Sequence, residues 1–152
     1  MILRDSLSIF IIDNDLFCRT LYMQHIHNLG YSRVSLFCDE QECMDQLTTS
    51  STTEIPDVIF LCCCFEQQNG LNILRKIKRI NPDIYLVALS GDEDKQAAIN
   101  AIKYGAFDYI IKGESDFTKI DEVLTKIENV IALLQQRPTG RLSKLLTKIG
   151  LL

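Results

Sequence analysis

The residues with chemical reach in this sequence gather at one address. Three consecutive cysteines, Cys62, Cys63 and Cys64, follow directly on the apolar run Val58-Ile59-Phe60-Leu61, and a polar stretch leads from them to Asn69-Gly70. An ionised thiol there can act as a nucleophile, an oxidisable group or a soft metal ligand. The six cysteines (18, 38, 43, 62, 63 and 64) include no CxxC pair, which leaves zinc-ribbon chemistry without support. Neighbouring cysteines on a strand point to opposite faces and do not readily bridge, so free, mostly buried thiols in a reducing cytoplasm are expected. His25 and His27 lie two apart, off any common helix face, and make a poor metal pair. Neither is placed to serve as the base that a cysteine nucleophile wants. A small α/β enzyme using Cys62 as nucleophile is therefore the weakest functional reading, and the chain is read as a non-enzyme.

The elements that must position these residues are legible from periodicity. Val58–Leu61 is unbroken and β-rich, as a strand buried on both faces at the centre of a parallel sheet would be. In such sheets, ligands sit beyond the carboxyl ends of the strands. Further strands are expected at Ser8–Asp13, Arg33–Phe37, Ile84–Leu89 and Tyr109–Ile111. Asp15 caps a helix whose apolar face comprises Leu16, Phe17, Leu21, Met23, Ile26 and Leu29, and Gly30 closes it. Asp39 with Glu42 forms a capping box for a helix through Cys43, Met44 and Leu47. Thr48–Ile55 reads as a polar loop. Gly70 opens a helix with Leu71, Ile73, Leu74, Ile77 and Ile80 opposite Arg75, Lys76, Lys78 and Arg79. Ser90-Gly91-Asp92 starts the next, with Ala97, Ala98, Ile99, Ala101 and Ile102 as its small-residue face. A long helix runs from Phe117 to Leu134. This alternation predicts right-handed crossovers and an α/β doubly wound sheet of five parallel strands, order 2-1-3-4-5, with five flanking helices. Residues 1–136 read as one domain. Residues 137–152, with Leu142, Leu145, Leu146 and Ile149 opposite Arg141, Lys144 and Lys148, read as a short amphipathic C-terminal helix.

Composition narrows the function. The chain of 152 residues is 47% hydrophobic and 24% charged, with a formal net charge of -4, which argues against a dedicated nucleic-acid surface. No apolar run approaches the ~18 residues of a membrane span, and no signal peptide is legible. A cytoplasmic protein is expected.

In this order the landmarks resemble a response-regulator receiver domain over Ser8 to Leu134. Strand one ends Asp13-Asn14-Asp15, the central strand reads PDVIFLC with Asn69-Gly70 fixing its register, strand four ends Ser90-Gly91, and strand five reads Tyr109-Ile110-Ile111-Lys112. The resemblance implies a CheY-like flavodoxin fold in two-component or phosphorelay signalling. In that family two acids close strand one, an aspartate ending strand three accepts a phosphoryl group, a Ser/Thr ends strand four, an aromatic and a lysine lie on strand five, and Mg²⁺ assists. Here Cys62 stands at the phosphoacceptor position and Asn14 at the second acid. Glu66 and Gly113 replace two prolines. Asp13, Asn14, Ser90 and Lys112 line the residual pocket, and Tyr109 holds the place of the switch aromatic. Mg²⁺ would rest on Asp13 and Asn14 and bind weakly, leaving no cofactor expected. The resemblance implies protein partners: a histidine kinase, a downstream effector, or a second copy in a homodimer. With no output segment legible, the chain is read as a stand-alone receiver that acts by protein–protein interaction and lacks the usual phosphorylation. The rival reading gives Cys62 a thiol-based input.

Overall fold

The computed structural model describes residues 2–49, 55–62, 68–91 and 93–135. In chain order the elements are α1 (Ile2–Ser6), β1 (Ser8–Ile12), α2 (Leu16–Asn28), β2 (Arg33–Phe37), α3 (Glu40–Thr49), β3 (Val58–Cys62), α4 (Gln68–Ile80), β4 (Tyr85–Ser90), α5 (Lys95–Lys103), β5 (Asp108–Ile111) and α6 (Asp116–Gln135). The five strands form one parallel sheet in the order β2-β1-β3-β4-β5, as the alternation predicts. The chain divides into two compact units, Met1–Asp121 and Glu122–Leu152, and the sheet lies wholly in the first. The C-terminal extension, the loop residues 50–54, and Cys63, Cys64 and Glu66 fall outside the described residues.

Strands β1 and β3 are buried at every position, the signature of a parallel sheet covered on both faces. Alternate residues point to opposite sides. Phe10, Ile12, Ile59, Leu61, Leu86 and Ala88 join Cys43, Leu47, Ile73, Leu74, Ile77, Ala97 and Ala101 in one apolar cluster under α3, α4 and α5. The other parity, Ile9, Ile11, Val58, Phe60, Val87 and Leu89, is equally buried. On α2, which packs on β1 and β2, the buried residues are Tyr22 and Ile26.

Several expectations need correction. There is a sixth helix among the described residues: α1, five residues with no amphipathic period to betray it. Its Arg4 donates to the Leu29 carbonyl at 2.6 Å and lies 5.3 Å from the Tyr31 ring, so it caps the end of α2. The inward face of α2 is also rotated from the one expected. Ile26 is buried as expected, but Leu16, Phe17 and Leu21 are exposed and Tyr22 is buried instead, because an amphipathic tyrosine can take the core position that a leucine tally assigns elsewhere. Thr48 and Thr49 belong to α3, with hydroxyls turned back onto the carbonyls of Met44 and Asp45. Helix α4 starts at Gln68, so Gly70 is inside it. Helix α5 starts at Lys95 with Asp94 as its N-cap, two residues beyond the expected turn. On α5 only Ala97 and Ala101 are buried, whereas Ile99 and Ile102 face outward at 57% and 48% exposure. The capping box of α3 is skewed by one residue. Asp39 accepts from the Glu42 amide, and Glu42 reaches back to the amide of Cys38.

Candidate functional site

Parallel pairing brings the carboxyl ends of β1, β3 and β4 to one edge of the sheet. Leu61 lies opposite Ile12, and Cys62 lies opposite Leu89. Asp13 directly follows β1, Cys62 ends β3 and Ser90 ends β4. All three are buried, at 2%, 8% and 2% exposure. Lys112 follows β5, and its amide donates to the Ser90 carbonyl at 2.8 Å, which carries the β4–β5 ladder one residue further.

Asp13 is the electrostatic centre of this edge. Its Oδ1 accepts the Asp15 amide at 2.9 Å, and its Oδ2 accepts Lys112 Nζ at 3.0 Å. Its backbone is held on both sides: its amide donates to the Phe37 carbonyl at 3.1 Å, and its own carbonyl accepts from Arg19 at 2.7 Å. A carboxylate this buried requires such compensation. Burial alone would push the Lys112 ammonium down, but Cys62 and the bonded Asp13 carboxylate outweigh it and hold the ammonium above the ordinary lysine value. Cys62 therefore lies within electrostatic reach of Lys112, as does Cys18, one turn into α2.

The remaining expected residues are arranged around this pair. Asn14 and Asp15 are exposed. Asp15 is used as the N-cap of α2, accepting from the amides of Phe17 and Cys18, and the Cys18 amide above all holds its carboxyl below the usual range. Tyr109 is half-buried against the apolar cluster under α5. His25 is paired with Asp121 and stacked on Phe117, and His27 is exposed.

A second layer escaped the sequence. The Tyr22 hydroxyl donates to Asp116 Oδ2 at 2.9 Å, its ring lies 5.9 Å from Lys112 Nζ, and burial drives its phenol far above the ordinary tyrosine value. Asp116 also accepts the Gly113 amide at 3.4 Å. Lys112 is thus held between the carboxylate of Asp13 and the ring of Tyr22. The one local signal was the i, i+4 spacing of Cys18 and Tyr22. The Tyr22–Asp116 bond joins residues 94 apart in sequence.

Comparison with known proteins agrees with this fold. Residues 9–128 match the model of the response regulator receiver domain. The chain is 27% identical over 138 residues to the transcriptional regulatory protein ZraR of Salmonella typhimurium, a match covering 91% of this chain and 29% of that protein. It is 26% identical over 132 residues to the DNA-binding transcriptional regulator NtrC of Klebsiella pneumoniae, covering 87% and 26%. The chain thus spans less than a third of the length of these curated relatives. A response regulator from Thermotoga maritima superimposes with a TM-score of 0.69 at 26% identity, over 80% of this chain and 97% of that one. A response regulator receiver domain protein from Clostridium thermocellum gives 0.71 at 24% identity, over 84% and 98%. No helix among the described residues is long and apolar enough to cross a membrane. The family match takes in the whole carboxyl edge of the sheet, from Asp13 through Cys62 and Ser90 to Lys112, and the chain belongs to the response regulator receiver domain family.

Proposed function

We propose that this receiver domain transmits signals by docking partner proteins and takes no phosphoryl group at the end of its central strand. Cys62 carries that reading. An acyl phosphate needs a carboxylate oxygen, and the residue ending β3 offers a thiol. The metal side points the same way. Mg²⁺ wants about six oxygens in octahedral geometry. Both oxygens of Asp13 already accept hydrogen bonds, Asn14 is neutral and exposed, and the sulfur of Cys62 suits softer metals. These residues do not fit Mg²⁺, and no step is assigned to it. The partners are a histidine kinase, a downstream effector or a second copy of the chain, met in a reducing cytoplasm where the cysteines stay thiols. The test is intact mass after incubation with acetyl phosphate and Mg²⁺, with peptide mapping. No adduct is expected. A phosphoryl group on Asp13, Asp15 or Glu66 overturns the proposal.

One observation favours a second reading, a thiol input at Cys62: Cys62 ends β3 at the same edge of the sheet where Lys112 follows β5, and a neighbouring cation favours a reactive thiolate. Alkylation of Cys62 much faster than that of an ordinary cysteine at neutral pH would support it, and slow alkylation would remove it. A catalytic use of Cys62 finds less support, since His25 is engaged with Asp121 and Phe117.

A further inference from the structure

We propose that the outer face of α4 and α5 docks a partner protein through an acidic segment that also carries apolar side chains. This rests on the reading that the domain works by protein docking, and it names the surface and the chemistry of what binds there.

The exposed stripe of α4 is Asn72, Arg75, Lys76, Arg79 and Ile80, and that of α5 includes Lys95, Ile99, Ile102 and Lys103. Neither helix contains an acidic residue, in a chain whose net charge is -4. The two basic rows meet at Tyr104, where the Arg75 guanidinium lies 4.9 Å and the Lys103 ammonium 5.8 Å from one ring. Lys78 is different. It is half-buried and donates to the carbonyls of Pro82 and Ile84 at 2.7 and 3.0 Å, and burial lowers its pKa. It is a structural cation, whereas Arg75, Lys76, Arg79, Lys95 and Lys103 are all exposed, and none is in an ion pair with another described residue. Arg75 and Arg79 stand at i, i+4, where like charges repel. The patch therefore carries an unfavourable electrostatic term that an anionic partner would relieve.

The apolar component narrows the occupant. Ile80, Ile99 and Ile102 are 41%, 57% and 48% exposed among these cations. A nucleic-acid backbone would satisfy the charges and leave the isoleucines in water. A bilayer surface asks for a continuous apolar stripe with interfacial aromatics, but α5 offers two isoleucines and its ring at Tyr104 is already flanked by Arg75 and Lys103. Through α3 a second copy would cover the charges and not the isoleucines, since Cys43 and Leu47 are buried there. Through α6, which carries Asp121, Glu122 and Glu128 and the exposed Leu133 and Leu134, it could meet both, so self-association of the chain in sedimentation would overturn the proposal. A partner segment with interleaved carboxylates and apolar side chains satisfies both.

The test uses the full chain and a fluorescein-labelled helical peptide with Glu and Leu interleaved on one face, beside an equal-charge peptide with Ser in place of each Leu. Anisotropy is read near physiological salt, where long-range attraction is screened. The Leu-bearing peptide is expected to bind at least tenfold more tightly than the Ser-bearing one. Arg75→Glu with Lys103→Glu, and separately Ile99→Ser with Ile102→Ser, should each weaken it at least tenfold. These positions are exposed, and circular dichroism checks that the variants fold. Amide shift changes should map to α4 and α5. Equal affinity for the two peptides, insensitivity to the isoleucine changes, shifts confined to other helices, or tighter binding to duplex DNA or phosphatidylglycerol vesicles would overturn the proposal. The two proposals fail separately: a phosphoryl adduct overturns the pocket reading and leaves these affinities standing, while lost peptide discrimination leaves the adduct result untouched.

Discussion

Replacing Lys112 with methionine isolates the Asp13–Lys112 charge pair at the sheet edge. Asp13 is 2% exposed, and Lys112, at 3.0 Å, is the only charged donor to its carboxylate among the described residues. Deleting one partner of a fully buried pair costs about 3–5 kcal/mol, because the remaining charge is left uncompensated. Two features here reduce that figure. The Lys112 side chain is 26% exposed, so water reaches its side of the pair, and the Asp15 amide still bonds Oδ1 at 2.9 Å. The expected loss for Lys112→Met is therefore about 2–3 kcal/mol, near the upper range for a hydrogen bond to a charged group. At roughly 2–4 °C per kcal/mol for a chain of this size, that is a fall of about 5–10 °C in Tm. Asp13→Asn alone should cost less, because the ammonium can turn toward solvent. The double variant should be less destabilised than the sum of the singles, by about 1–2 kcal/mol of coupling. Urea unfolding of all four proteins at pH 7 measures the cycle. The sign of the pH dependence follows from the raised folded-state value of Lys112. Its contribution is fully present below the unfolded value of 10.5 and is lost as pH rises through the higher folded value. On the alkaline side, the gap between wild type and Lys112→Met should therefore narrow above about pH 10.5. A loss under about 0.5 kcal/mol, additive with Asp13→Asn, would refute the claim that a desolvated pair organises this edge.

Two further outcomes test the packing around the site. Burial pushes the Cys43 thiol up to about 12 from 9.0, so iodoacetamide followed by peptide-resolved mass analysis should modify exposed Cys38 in the native protein and Cys43 only on unfolding. Modification of native Cys43 at the Cys38 rate would contradict its placement in the core. Gly105 has φ +115°, and a Cβ there would lie 3.2 Å from the Lys78 side chain. Gly105→Ala should therefore cost about 1–2 kcal/mol for the left-handed backbone, read as a lower urea midpoint with an unchanged slope. An unchanged midpoint would mean that the α5–β5 turn relaxes freely.

What sequence could and could not reveal here follows from the range of each signal. The strands were legible because β1 and β3 are buried on both faces and so are written as unbroken apolar runs. Their order followed from the alternation with helices. Cys62 could be placed because its strand end and the Asn69-Gly70 pair bracket it within one short segment. Helix phase was less secure. On α2 the tally of leucines and phenylalanine pointed at Leu16, Phe17 and Leu21, all of which are exposed, while Tyr22 holds the core. On α5 two isoleucines that complete an apolar pattern on paper face solvent. In both helices the error is the same: periodicity counts apolar residues, whereas the sheet selects those whose Cβ directions meet it. The Tyr22–Asp116 bond was beyond reach for a different reason. It depends on the start of α6 returning to α2, and nothing within a local window encodes that.

The chemistry of the edge bears on how such a domain can switch. The Asp13–Lys112 pair, the Asp15 amide and Arg19 satisfy the groups of Asp13 from within the chain. On the proposed reading no ligand at this edge is needed to hold it together, and none arrives to change it. A shift between two states then has to come from a partner that binds one of them better, and the shift can be no larger than that difference in affinity. Moving an equilibrium from 1:99 to 99:1 asks for roughly 10⁴-fold preference. One exposed face combining Arg75 and Lys103 with Ile99 and Ile102 could supply part of such a preference only if its geometry differed between states. The Arg75–Tyr104 contact joins α4 to the end of α5 at 4.9 Å, so a displacement of α5 would separate the two basic rows and weaken the docking surface. If the edge sets the position of α5, it does so through the Lys112 side chain bonded to Asp13, since the Lys112 amide bond to Ser90 survives a change of side chain. Lys112→Met should then lower peptide affinity at α4–α5 in proportion to its effect on the position of α5, and unchanged peptide binding in a folded Lys112→Met protein would mean that edge and face act independently.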